Sequence, residues 1–323
     1  MTARRVAAID CGTNSIRLLI ADVDIERESA TDVAREMVVV RLGEGVDATG
    51  TFSPAALERT FDACRVYADM LRAAGDPPVR FVATSASRDV SNRAAFVAGV
   101  RGILGVEPEV IEGSQEGELS FAGATVGIPD DAQPPFLVVD IGGGSTEFVL
   151  GSGAPTHRSS VNIGCVRMTE RHMVDDPPTP AQVDAATADI DAAIALAGQD
   201  VPLGQAATLV GLAGSVTTVA ALALGLPGYD AEVIHHSRIQ LADVRRVSDS
   251  LLVMTRAQRA ALPVMHPGRV DVIAAGALVL RRIMDATGAG EVLVSEHDIL
   301  DGVAWSVARE VDPGVRPDLA EHP

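Results

Sequence analysis

The segment VVDIGGGSTEFVL, at positions 138–150, places two carboxylates around a glycine-rich turn. Asp140 ends a hydrophobic run, three glycines and two hydroxyl residues follow, and Glu147 comes next. Glycines allow successive backbone N–H groups to converge on an anion such as phosphate. Because carboxylates repel phosphate, we expect them to bind Mg²⁺, which would contact the phosphate oxygens. For one such segment alone, an ordinary β-hairpin with an aspartate-capped turn is the alternative.

A second segment of the same kind lies 130 positions earlier. VAAIDCGTNSIRLLI at positions 6–20 aligns with FLVVDIGGGSTEFVL at positions 136–150, so that Asp10 corresponds to Asp140. At the same offset, FVATSAS aligns with GLAGSVT. Two separated blocks that share one offset favour an internal duplication. Two matched turns also favour phosphate binding over two unrelated hairpins.

Candidate phosphate ligands lie in these turns and at a predicted helix start. The turns supply neutral donors and glycine amides, namely Asn14, Ser15, Gly142, Gly143, Gly144, Ser145 and Thr146. The helix predicted in AGSVTTVAAL adds Gly214 and Ser215 at its first turn, where the N-terminus favours anions. Arg167 and Arg171, beside Gly164, are weaker candidates because a solvated helix face explains them equally well.

An arginine and a glutamate could act on a bound phosphate. ATSASRDVSN places Arg88 at the predicted start of a helix, where a guanidinium can clamp a phosphate with two hydrogen bonds. A surface pair with Asp89 is the alternative. IEGSQEGELS carries Glu116 in a predicted first helical turn, where it could deprotonate a water molecule. Such glutamates also simply stabilise helices through the macrodipole, and spacing does not choose between the two readings.

Composition narrows the function further. The net charge is −18 and the sequence contains no lysine, which excludes a P-loop and argues against a nucleic-acid partner. No apolar run is long enough to span a bilayer, and the N-terminus lacks a signal-peptide pattern. Three irregularly spaced cysteines suit a reducing cytoplasm. His235 and His236 adjoin on a predicted strand and should point to opposite faces, which argues against a zinc site.

The elements that must position these residues form two similar α/β halves. Each half is predicted as strand, turn, strand, strand and helix, then a strand that leads through a turn into a further helix. GIPDDAQPP, at positions 127–135, is the clearest linker. We therefore predict domains at 1–126 and 134–302, with a C-terminal helix at about 303–323 that packs back on the first domain. The turns should line a cleft between the domains.

With these residues laid out, the chain resembles the exopolyphosphatase / guanosine pentaphosphate phosphatase (Ppx/GppA) family. The resemblance runs from about Val6 to Gly302, and the blocks ATSASRD and EGSQEGELS distinguish this family from related kinases and chaperones. It implies two duplicated ribonuclease-H-like domains of the actin, sugar-kinase and Hsp70 superfamily. It also implies a Mg²⁺-dependent phosphohydrolase that acts on inorganic polyphosphate or on pppGpp, with a homodimer expected by similarity.

The resemblance assigns roles to individual residues. Glu116 matches the general base, Arg88 the phosphate-binding arginine and Glu147 the second acidic position, and we take these three as catalytic. Asp140 matches the metal region and Asp10 its counterpart in the first loop, so both are predicted metal ligands. In that first loop, Arg17 joins the predicted phosphate ligands.

Three functions stay open at this point. Besides the phosphatase, a kinase of the same superfamily would share both turns, and a non-catalytic sensor would bind polyphosphate or guanosine penta- or tetraphosphate without hydrolysis. Polyphosphate is preferred over pppGpp on family grounds alone. Longer family members carry extra C-terminal helical domains, so we expect weaker grip on long chains here. Glu296, Asp298 and Asp301 add negative charge near the cleft, with no role readable from the sequence.

Overall fold

Two β-sheets with flanking helices form the frame of the molecule. A computed structural model describes residues 3–88 and 90–310. The strands are β1 (Arg4–Cys11), β2 (Ser15–Asp24), β3 (Ser29–Val39), β4 (Val79–Ala83), β5 (Glu109–Val110), β6 (Phe136–Ile141), β7 (Thr146–Gly151), β8 (Pro155–Val161), β9 (Thr208–Leu212), β10 (Arg238–Gln240) and β11 (Glu291–Val294). One sheet has the order β3-β2-β1-β4-β5, and the other has the order β10-β11-β9-β6-β7-β8.

Helices cover both sheets. They are α1 (Val46–Thr49), α2 (Pro54–Ala73), α3 (Ser85–Arg88), α4 (Arg93–Leu104), α5 (Gly113–Thr125), α6 (Cys165–His172), α7 (Pro180–Asp200), α8 (Ala213–Ala223), α9 (Ala231–Ile234), α10 (Leu241–Val253), α11 (Arg256–Ala260), α12 (Ile273–Thr287) and α13 (Ile299–Glu310). Short 3₁₀ turns occupy Leu203–Gln205 and Pro267–Arg269. Local sequence sets α2 as expected, since Ser53 Oγ caps the helix by accepting from Ala56 N–H over 3.1 Å.

Strand pairing confirms the duplication. In the first hairpin Asp10 lies opposite Arg17, and in the second Asp140 lies opposite Glu147, which is the same register shifted by 130. The parallel pairs β1–β4 and β6–β9 match at the same offset. The predicted fold class, two duplicated ribonuclease-H-like domains, is therefore confirmed. The domain boundaries themselves stay a prediction.

The last helix of each half packs on the sheet of the other half. Phe121 and Ala124 of α5 pack with Val138 of the second sheet, whereas Val303 of α13 packs with Val6 of the first sheet. The two helices cross where α5 has Gly123 and α13 has Gly302. The C-terminal helix thus lies on the first sheet up to Glu310, and the predicted remainder at 311–323 lies outside the described residues.

Several local expectations were wrong. The sequence pattern predicts a long helix near positions 268–286, but this helix begins at Ile273, because the 3₁₀ turn of Pro267–Arg269 precedes it. The sequence also predicts that the helix after β9 opens at Ser215, whereas α8 begins at Ala213, whose φ of 69° is left-handed. The residues 235 and 236 follow α9 instead of forming a strand, and their rings stack with centroids 3.6 Å apart.

The apolarity of the helices and the state of the cysteines bear on membrane-spanning segments and on disulfide bonds. Within residues 3–88 and 90–310, none of the helices combines the length and the apolarity that crossing a membrane requires. Cys11, Cys64 and Cys165 are all buried free thiols, which agrees with the prediction that they form no disulfide framework.

Candidate functional site

The two predicted turns have the same geometry and line one cavity. Gly12 N–H donates to Ser15 O over 2.9 Å, and Gly142 N–H donates to Ser145 O over 3.1 Å. The cavity between the halves has a volume of about 110 Å³, and both turns contribute to its wall. The duplication therefore produces a pair of similar loops that face a shared space.

The turns approach each other so closely that only glycine fits. A Cβ at Gly144 would lie 2.6 Å from Ser85 Oγ and 2.8 Å from Thr13 Oγ1. Both hydroxyls are buried, and neither has a hydrogen-bond partner among the residues that the structure describes. Because buried polar groups nearly always have a partner, these two donors are suited to an anionic ligand.

A pair of buried carboxylates lies beside the second turn. Asp140 and Glu147 are directly opposite on neighbouring strands, and they are only 6% and 1% exposed. Ser120 Oγ donates to Asp140 Oδ2 and Ser160 Oγ donates to Glu147 Oε1, each over 2.7 Å. Burial, reinforced by the charge of Glu147, raises the pKa of Asp140 to about 8, and burial also raises the pKa of Glu147.

The corresponding pair in the first half is neutralised. Arg17 Nη2 lies 2.6 Å from Asp10 Oδ2, and Arg17 Nη1 pairs with Asp298. Burial still raises the pKa of Asp10, whose Oδ1 has no partner. Although burial disfavours its charge, the Arg17 guanidinium holds the pKa of Asp298 below its ordinary value. Asp298 thus anchors the arginine of the first hairpin.

Glu116 and Arg88 form a buried ion pair at the same cavity. Arg88 Nη1 donates to Glu116 Oε2 over 2.7 Å and to Ile111 O over 3.1 Å, while Nη2 lies 3.5 Å from Ser145 Oγ. Burial and the charge of Glu147 raise the pKa of Glu116 well above its ordinary value, against the opposing effect of Arg88. The arginine therefore holds a carboxylate with a high proton affinity close to the second turn.

Known proteins resemble this chain over most of its length. Residues 19–310 match the Ppx/GppA phosphatase family. The chain belongs to this family. It is 51% identical over 319 residues to Exopolyphosphatase 2 of Mycobacterium tuberculosis, an alignment that covers 95% of this chain and 100% of that protein.

Solved structures agree over nearly the whole chain. An exopolyphosphatase-like protein is 44% identical with a TM-score of 0.92, and the alignment covers 96% of this chain and 99% of that one. An exopolyphosphatase from Cytophaga hutchinsonii is 25% identical with a TM-score of 0.87, covering 95% and 98% of the two chains. The Ppx/GppA fold therefore extends through both sheets.

Most of the residues predicted for the Ppx/GppA site line the cavity. These are Asp10, Asn14, Ser15, Arg17, Glu116, Asp140, Gly142, Gly143, Gly144, Ser145, Gly214 and Ser215. Arg88 and Glu147 lie just behind its wall, bonded to Glu116 and Ser160. The Thr146 hydroxyl instead donates to Ile163 O inside the second half, and Asn14 Nδ2 donates to Gly268 O over 3.3 Å across the cleft.

The surroundings of Arg88 differ from the expectation. Arg88 ends the single turn α3 rather than starting a helix. Arg93 Nε instead donates to Ser87 O over 2.7 Å and holds this turn in place. Asp89, the alternative partner of Arg88, lies outside the described residues.

The sequence did not single out Arg269. Its Nη1 donates to Thr218 Oγ1 over 2.9 Å, and its guanidinium packs where a Cβ of Gly214 would be. It also lies 5.8 Å from the ring centre of Tyr229 and lines the cavity. No sequence pattern indicates that Arg269 lies at the cavity, because it is far from both glycine turns in the chain and follows α11.

The other acidic and basic candidates have structural partners. Asp301 pairs with Arg35 at 2.5 Å, and Glu296 accepts from Tyr229 OH over 2.6 Å. Arg167 and Arg171 both pair with Asp47 of the first half, and Arg167 Nε donates to Gly144 O over 2.8 Å. Neither arginine is a simple solvated side chain; both help to hold the halves together.

Proposed function

We propose that this chain is an exopolyphosphatase that releases terminal orthophosphate from inorganic polyphosphate. Its membership of a phosphatase family and its similarity to a protein named Exopolyphosphatase 2 support the proposal. Paired glycine turns, two unpartnered buried hydroxyls and Arg88 supply donors for a phosphate chain. The proposal extends to Mg²⁺ as cofactor, to a cytoplasmic homodimer and to the absence of nucleic-acid and membrane partners.

The observation that carries this proposal is a difference between the two hairpins. At equivalent positions the first hairpin pairs Asp10 with Arg17, whereas the second places Asp140 opposite Glu147. Like charges directly opposite on paired strands are destabilising, and burial increases the effect. A divalent cation at Asp140 would offset this repulsion, so the second hairpin is the one suited to a metal.

The donor set fits Mg²⁺. Within the described parts of the chain, no three His, Cys, Asp or Glu side chains converge on a metal position. Mg²⁺ is usually held by one or two carboxylates together with waters and substrate phosphates. Asp140 would be the principal ligand, and Asp10 Oδ1 and Glu147 Oε2 are further buried oxygens without a hydrogen-bond partner among the described residues. When bound, the cation would neutralise negative charge on the phosphate oxygens.

Glu116 is the proposed general base. Its raised pKa means that the carboxylate accepts a proton readily, as activation of a water molecule requires. Arg88 holds one carboxylate oxygen and lies near Ser145, so it would orient the base relative to the phosphate turn. Turn amides and Arg88 would stabilise the charge of the transferred phosphoryl group, and in-line attack by water requires no covalent intermediate.

The test is orthophosphate release with Mg²⁺ from short polyphosphate, long polyphosphate and pppGpp in parallel. We compare the wild type with Glu116→Gln and with Glu118→Gln, a matched control whose carboxylate is 43% exposed and pairs with Arg158 on the surface. We expect the first variant to lose roughly 10²–10⁴ in rate and the second to stay near wild type.

The outcomes separate the candidate functions. Preference for polyphosphate supports the proposal, and preference for pppGpp replaces the substrate while keeping the chemistry. Unchanged release by Glu116→Gln overturns its role as base. Tight binding of all three compounds with no release identifies a sensor, and phosphoryl transfer from ATP to an acceptor identifies a kinase.

A further inference from the structure

We propose that Ser120 is a positioning residue that orients Asp140 for the cation. This inference rests on the proposed function and concerns the same site. Ser120 is completely buried, and its hydroxyl donates to Asp140 Oδ2 over 2.7 Å. The hydrogen bond joins α5, from the first half of the chain, to β6 in the second sheet.

The same helix carries the proposed base. Glu116 and Ser120 are four residues apart on α5 and therefore share one face. Between them Gly117 lets the helix approach β7, since a Cβ there would lie 2.7 Å from Val149 Cγ2. One rigid helix, seated on the sheet at Gly117, thus sets the positions of both Glu116 and Asp140.

The hydroxyl fixes the carboxylate without neutralising it. In the first half the charged Arg17 holds Asp10 Oδ2. In the second half the neutral Ser120 holds Asp140 Oδ2, and among the described residues Oδ1 accepts no hydrogen bond. Asp140 lines the cavity, so a ligand there can approach the carboxylate without displacing a charged partner. Groups that hydrogen-bond a ligating carboxylate commonly tune metal affinity by 10–100-fold.

The test measures cation binding to the substrate-free protein as well as activity. Mg²⁺ binding is followed by calorimetry and Mn²⁺ binding by electron paramagnetic resonance, for wild type, Ser120→Ala, Ser120→Cys and Ser120→Thr. Ser248→Ala is the matched control, because this serine is also completely buried and its hydroxyl has no hydrogen-bond partner in the described parts of the chain. Orthophosphate release is then measured against Mg²⁺ concentration.

We expect Ser120→Ala and Ser120→Cys to bind the cations about 10–100-fold more weakly, with activity partly recovered at high Mg²⁺. Ser120→Thr keeps a hydroxyl and should restore affinity, and Ser248→Ala should match wild type. Cysteine fills the space of the hydroxyl, which alanine would leave empty, but donates only weakly, so it separates positioning from packing if the alanine variant unfolds.

Two results would overturn the inference. One is unchanged cation affinity in a folded Ser120→Cys or Ser120→Ala variant; the other is the absence of cation binding by wild type. Failure of the proposed function gives a different result. A wild type that hydrolyses none of the substrates, yet binds the cation with an affinity that falls in the Ser120 variants, would retain the positioning role of Ser120.

Discussion

Replacing Gly123 by alanine should destabilise the protein, because α5 crosses α13 there without room for a side chain. A Cβ at Gly123 would lie 1.9 Å from Asp298 O and 2.9 Å from Gly302 N. A carbon atom and a carbonyl oxygen normally come no closer than about 3.3 Å, so the two helices must separate by roughly 1.4 Å. The obstructing atoms belong to the backbone and cannot rotate away as a side chain would.

The size of the effect follows from comparison with an unobstructed glycine. Overpacking a close contact costs about 1–3 kcal/mol or more. Gly102, inside α4, has no heavy atom within 4 Å of its added Cβ. Gly102→Ala should therefore stabilise the protein by about 0.5–1 kcal/mol, as expected for glycine in a helix. The same chemical change should thus have opposite signs at the two positions.

Urea denaturation of both variants measures this difference, and phosphate release measures its effect on the site. α5 carries Glu116, and Asp298 pairs with Arg17, so moving the crossing by about 1 Å should also slow catalysis about 100-fold. Stability of Gly123→Ala within about 0.5 kcal/mol of wild type, with full activity, would refute the argument that the crossing sets the site.

Two further predictions concern buried charge. Burial raises the pKa of Asp140 from 3.8 to about 8, so the folded state binds this proton more tightly than the unfolded state. In the absence of Mg²⁺, the free energy of unfolding should therefore fall as the pH rises from about 4 to about 8. Asparagine cannot ionise, so in the presence of a chelator Asp140→Asn should be more stable than wild type by more than about 1 kcal/mol at pH 8 but not at pH 4. Equal stability of the two proteins at pH 8 would contradict this prediction. Arg17→Ala leaves two buried carboxylates uncompensated and should cost about 3–5 kcal/mol of unfolding free energy. Arg5→Ala removes one partner of an exposed pair and should cost much less, so equal losses in urea denaturation would count against the buried pair.

Local and repeated features were predictable from the sequence. The glycine turns follow from residue type and alternating hydrophobicity, and the offset of 130 reappears in the strand register of both hairpins. Duplication preserves register because shifting a buried strand by one residue would turn its apolar side chains to the wrong face. The N-cap of α2 at Ser53 was also predictable, because capping depends only on neighbouring residues.

Features that depend on distant contacts were not predictable. Arg88 ends a single helical turn that Arg93 holds, where the sequence suggested a helix start. Ser120 sits in an unremarkable helical segment, and its importance appears only when α5 packs against β6. In the sequence Asp298 is one of several acidic residues with no evident partner, whereas in the structure it pairs with Arg17.

The sequence by itself determined the duplicated fold, the family and the two phosphate-type turns, because each depends on short segments that carry their own pattern of glycine, hydroxyl and apolar residues. Only the tertiary structure decided which carboxylates stay unpaired. Asp10 is neutralised by Arg17 and Asp140 is not, although both end equivalent strands. The partner across each hairpin is close in the sequence, but Arg17 is also bound by Asp298, 281 residues further along the chain. Asp140 is held instead by Ser120 of the helix exchanged between the halves, and neither contact follows from a local sequence pattern.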